Sequence, residues 1–145
     1  MIKIVLKLLS WLLATLKDKR TLERPSPRDI IKYNQISWTV DTLTIKDIPS
    51  ITIANIADTN SMDGLFDIGH NALLISAFDR GKLAVGDIIV YRPDDNVGQI
   101  IHRIIEIGED DLGKFYRAKG DNNYREDIYI IRNDHISYLC IGIIY

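Results

Sequence analysis

"GDIIVYRPDDNVGQIIHRIIEIG", residues 86–108, decides the fold class. Two apolar runs rich in isoleucine and valine flank "PDDNVG", a cluster of turn-forming residues. Each run is too short for a globular helix and is bounded by Gly or Pro, which favours strands. Working outward, "ISWTVDTLTI" and "SITIANIA" precede this pair, followed by "NALLISAF". "KFYRAKG", "DIYIIR" and "HISYLCIGIIY" come after it. "DRG", "GEDDLG" and "GDNN" separate these runs as turns. Many short strands at close spacing predict a mainly β chain, a sandwich or barrel-like sheet. "RDIIKYNQ" is the one candidate for a short helix in this region. There is no βαβ alternation and no glycine-rich phosphate loop, so a doubly wound nucleotide fold is not expected.

The chain has 145 residues, 46% hydrophobic and 26% charged, with a net charge of -2. That length fits one domain with a short appendage. The charge gives no reason to expect nucleic acid as a partner. Cys140 is the one cysteine and sits in an apolar run, so a buried thiol is expected rather than a disulfide or metal cluster.

"MIKIVLKLLSWLLATLKDKR" opens the chain. At helical spacing Lys3, Lys7, Ser10, Ala14, Lys17 and Asp18 form a narrow polar stripe, and apolar residues cover the rest. As a helix the run to Leu16 would extend about 24 Å, against roughly 30 Å of hydrocarbon core. A helix lying in the membrane interface fits the basic stripe and Trp11. The other readings are a helix packed on the domain or a partner, and a signal peptide. The last is disfavoured because charged residues follow directly and no small-residue cleavage site does. The expected organisation is therefore an amphipathic membrane-interface helix at 1–20, a linker with a possible short helix at 21–37, and a β-rich domain at 38–145.

Three polar elements carry possible chemistry. Ser61 in "DTNSMDG" is either a nucleophile or a polar residue where a strand meets a turn. His102 interrupts "IIHRII" as either a base or a hydrogen-bonded strand residue. Asp121 and Asp127 flank "GDNNYRED", as acids that orient a base, or as a turn former and a surface acid.

In order, the blocks "NSMDGLFDIGH", "RGKLAVGDIIVYRP", "QIIHRII" and "RAKGDNNYRED" resemble the signal peptidase I family, more closely its archaeal and endoplasmic-reticulum branch. The likeness spans about Asp58 to Asp127. The third block has His-Arg where the bacterial branch has Lys-Arg. The resemblance implies a signal-peptidase/LexA-like β-sheet fold behind the N-terminal helix. It implies a serine endopeptidase that cuts signal-peptide-like segments from secretory or membrane precursors, with no cofactor and no metal. Carried over by position, Ser61 would be the nucleophile, His102 the general base and Asp127 the acid that orients it. Asp121 would support the site and share that role. Thr59 and the Ser61 N–H would form the oxyanion site, with Met62 as support. The expected partners are a precursor polypeptide and a membrane surface reached through residues 1–20, making the protein peripheral or monotopic; accessory subunits stay open.

The sequence departs from the family at Gly64, where a proline is usual, and the apolar run at 1–16 is expected to fall short of the family's full-length membrane anchor. His70 is a second candidate base with a poorer match. Two alternatives stand beside the peptidase reading. One is a LexA-like self-cleaving peptidase, which would need an Ala-Gly cleavage bond that the chain lacks. The other is a non-catalytic membrane-surface module on a decayed peptidase fold.

Overall fold

A computed structural model describes residues 24–145. The expected helix at 1–20 lies outside the described residues. Among the described residues eight strands form two antiparallel sheets. β1 (Ile36–Trp38) and β2 (Leu43–Ile45) make a two-stranded hairpin. β3 (Ile51–Asn55), β4 (Asn71–Ile75), β5 (Ile88–Tyr91), β6 (Ile100–Asp110), β7 (Gly113–Lys119) and β8 (Ile136–Ile144) form a sheet in the order β3-β4-β8-β5-β6-β7. The mainly β expectation therefore holds.

β5 explains why residues 86–108 lack a clean apolar/polar alternation. All four of its residues are buried. Ile89 and Tyr91 enter one apolar cluster with Ile104, Tyr116 and Leu139. Ile88 and Val90 enter a second with Phe66, Leu74 and Cys140. Side chains alternate across a strand, so a strand covered on both faces must be apolar throughout. Two irregular segments help to cover it. Met62 and Phe66, between β3 and β4, lie in the second cluster. Ile131, between β7 and β8, lies in the first. Cys140 is buried as expected, and burial pushes its thiol up to about 11.

Three expectations change. "ISWTVDTLTI" is two strands rather than one, because Asp41 accepts hydrogen bonds from the Thr39 and Thr42 hydroxyls and closes a turn. "RDIIKYNQ" forms only a single 3-10 turn at Tyr33–Gln35. "DIYIIR" is not a strand. Its backbone meets β7 where the Asp127 N–H donates to Ala118 O and again at the Ile131–Tyr116 pair. Between those points β7 advances from 118 to 116 while the segment advances from 127 to 131, so no ladder can form.

The linker is not free of the body at its described end. The Arg28 Nε donates to Asp87 at 2.7 Å, and Arg103 donates to the Pro25 carbonyl at 3.0 Å. Gly86 lets this happen: a Cβ there would stand 2.3 Å from the Ser26 carbonyl oxygen. Among the described residues no helix is long and apolar enough to cross a membrane.

Candidate active site

Ser61 sits in the irregular segment joining β3 to β4. The residue before it, Asn60, has a φ of 55°, a left-handed conformation that asparagine tolerates better than most residues. The Met62 carbonyl then accepts from the Leu65 and Phe66 N–H groups, and both Met62 and Phe66 are buried. This apolar anchor holds the turn while Ser61 stays half-buried. Gly64 has a φ of 89° with no atom within 4 Å of a notional Cβ. Proline fixes φ near -65°, so the family's usual proline does not fit this turn.

The "KGDNN" segment grips the same turn from the other side. The Asn122 N–H donates to the Ser61 carbonyl, and its side-chain amide donates to the Asn60 carbonyl, both at 2.9 Å. The Asp121 N–H contacts the Met62 sulfur at 3.3 Å. Gly120 makes the approach possible, because a Cβ there would lie 2.5 Å from the Ser61 carbonyl oxygen.

His102 stands on β6 opposite Ile89 of β5, on the face of the first cluster. Its Nδ1 is 2.7 Å from Asp127 Oδ2. Both side chains are largely shielded, 9% and 11% exposed. The Tyr91 hydroxyl donates to that same Oδ2, also at 2.7 Å. Burial, and then the hydrogen bond to Asp127, push the Tyr91 phenol upward, so it remains a donor. Tyr91 was not singled out by sequence. The available signal was a tyrosine ending an aliphatic strand, since a buried phenol needs a partner for its hydroxyl.

Asp121 does not share the orienting role. Arg103 follows His102 on β6 and so points to the opposite face. It takes the Asp121 carboxylate through Nε at 2.8 Å and Nη2 at 2.6 Å. The Arg103 Nη1 donates to the Pro25 and Gly86 carbonyls. Asp121 thus belongs to a buried ion pair behind the serine turn. His70 is likewise committed elsewhere: its Nδ1 accepts the Asp67 N–H, and its ring meets Tyr145 edge-on.

A cleft of about 490 Å³ connects the two halves of the site. β7 pairs with β6 only from Arg103 onward, so the other edge of β6 is open at Ile100–His102. The cleft is lined there by Ile101 and His102, and across from them by Thr59, Ser61, Ala54 and Leu74. Its walls are mostly apolar, with small side chains such as Ala54, Ala57 and Ala72. The Ser61 hydroxyl lies 3.1 Å from the Thr59 hydroxyl. Among the described residues no hydrogen bond joins Ser61 to His102: both residues line the cleft, but its apolar wall belongs to the second cluster, whereas the His102 side chain lies on the face of the first. A carboxylate is acceptor-only, so the short Asp127 contact assigns the proton to His102 Nδ1 and leaves Nε2 as the basic nitrogen. Such an arrangement can take a proton from a hydroxyl and return it to a leaving group. No group of three or more His, Cys, Asp or Glu suited to a metal ion occurs among the described residues.

Among known proteins, no family model, no curated protein and no solved structure matches the chain.

Proposed function

We propose that this chain is a serine endopeptidase that cleaves signal-peptide-like segments from secretory or membrane precursors, on a signal-peptidase/LexA-like β fold. The observation that carries the reading is the 2.7 Å His102–Asp127 pair beside an apolar cleft that also contains Ser61. The resemblance of the four sequence blocks to signal peptidase I supplies the reaction class.

In this mechanism Ser61 turns from Thr59 toward the substrate carbonyl. As its oxygen bonds to the carbonyl carbon, its proton passes to His102 Nε2. Asp127 holds the imidazole in place and stabilises its positive charge. The Ser61 N–H and the Thr59 hydroxyl take the developing oxyanion. His102 then gives the proton to the departing amine, and a water molecule releases the acyl group by the same route in reverse. The small apolar side chains of the cleft suit small substrate residues beside the scissile bond. The apolar sequence of residues 1–16 is the membrane-facing part of this reading.

The deciding experiment is cleavage of a signal-peptide-bearing precursor by purified protein in liposomes, beside Ser61→Ala. Cleavage after a small residue that disappears in the variant supports the proposal. No cleavage by folded, membrane-bound protein rejects it. One observation favours a second reading, a non-catalytic surface module: the Ser61 hydroxyl is held by Thr59 rather than His102. That reading predicts no turnover and unchanged membrane binding in Ser61→Ala.

A further inference from the structure

We propose that Tyr91 is a positioning residue of the site: its hydroxyl fixes the Asp127 carboxylate against His102 Nδ1. The inference rests on the peptidase reading for its functional meaning, but its geometry stands separately.

Asp127 lies in a segment with no strand ladder of its own. Its backbone is tied to Ala118, and the next tie to β7 is at Ile131. A carboxylate on such a segment can rotate about its side-chain bonds unless something holds it. Two groups reach the same oxygen, Oδ2, from neighbouring strands: His102 Nδ1 from β6 and the Tyr91 hydroxyl from β5, each at 2.7 Å. Tyr91 ends β5 and is fully buried, wedged within the first apolar cluster. β5 is an interior strand, paired by β6 and β8, and all four of its residues are buried, so its side chains are held on both faces. A rigid donor on a rigid strand therefore aims at an acceptor on an irregular segment.

The consequence for His102 is specific. With Oδ2 held, only the tautomer protonated at Nδ1 satisfies both partners, and Nε2 is left as the basic nitrogen. A tyrosine that merely satisfied its own hydroxyl would leave the imidazole unaffected when removed. A positioning tyrosine would not. Phenylalanine fills nearly the same volume, so Tyr91→Phe removes the hydroxyl without opening a cavity.

The test uses the full-length protein with ¹⁵N-labelled histidine, reading the Nδ1 proton of His102, assigned by its loss in Asp127→Asn. In Tyr91→Phe that proton exchanges with water at least tenfold faster, and kcat on the precursor falls at least tenfold while KM stays within twofold. Replacing Tyr91 alone by 3-fluorotyrosine keeps the fold and makes a stronger donor. It draws charge from Oδ2, so the Nδ1 proton moves upfield. A Nδ1 proton unchanged in both proteins overturns the proposal. A fall in precursor binding with kcat unchanged in Tyr91→Phe also overturns it. If the Nδ1 proton responds but wild-type protein and Ser61→Ala are equally inactive, the positioning role stands and the peptidase reading falls.

Discussion

Replacing Asp127 by asparagine removes a charge while keeping the shape of the side chain. In the mechanism above, His102 becomes positively charged when it takes the serine proton, and Asp127 stabilises that charge. The heavy atoms are 2.7 Å apart and both groups are shielded from water. Placing the two charge centres roughly 4 Å apart at an effective dielectric of 20 gives an attraction of about 4 kcal/mol. That corresponds to about a thousandfold in rate at 1.36 kcal/mol per factor of ten. The ground state loses far less, because a histidine acting as the base carries no charge before it takes the proton, and the amide oxygen can still accept from Tyr91. The assay is precursor cleavage in liposomes with a thermal unfolding curve on each protein. The expected result is kcat reduced about a thousandfold, with stability lowered by about 1–2 kcal/mol from the weaker hydrogen bonds. A variant that retains more than a tenth of wild-type kcat would refute the reasoning. So would a rate loss that follows unfolding in size.

Gly120→Ala forces a methyl group to within 2.5 Å of the Ser61 carbonyl, so cleavage and thermal stability should fall together. Gly64→Ala should lower stability by about 1–2 kcal/mol from its left-handed φ alone, and Gly64→Pro by more, in urea titrations. Asp121→Ala strands the buried Arg103 guanidinium and should destabilise by about 3–5 kcal/mol, while Asp127→Ala lacks that stranded cation and should destabilise less. Cys140 in the folded protein should resist alkylation at pH 8, because burial lifts its thiol to about 11. Its contribution to stability is complete below the unfolded thiol's pKa, near 8.5, and is lost as pH rises toward 11, since the unfolded chain releases the proton first. Comparing urea midpoints of wild type and Cys140→Ala from pH 8 to 11 should show a steeper fall in the wild type, the excess belonging to Cys140, because the raised Tyr91 and Tyr116 phenols contribute to both proteins.

Much of the sheet was legible because strand signals are local. Turn residues at "PDDNVG" and "GEDDLG" mark the hairpin boundaries of β5, β6 and β7, and apolar content marks the strands. "DIYIIR" misled because its alternation resembles a strand while its backbone bonds are spent at two unevenly spaced points on β7. The Gly64 departure also became intelligible only with its φ, which proline cannot adopt.

By itself the sequence determined the β class, the buried cysteine, and a set of polar residues whose order resembles one enzyme family. Tertiary structure decided which acid meets the histidine. His102 and Arg103 are neighbours in sequence, but consecutive strand residues face opposite sides of the sheet. Asp121 therefore meets Arg103 behind the serine turn, and Asp127 meets His102 on the other face. Tyr91 joins Asp127 because β5 and β6 pair with Ile89 opposite His102, which puts both side chains on that face. Strand register is a long-range property, set by packing on both faces of β5, and no local pattern in residues 86–127 encodes it alone.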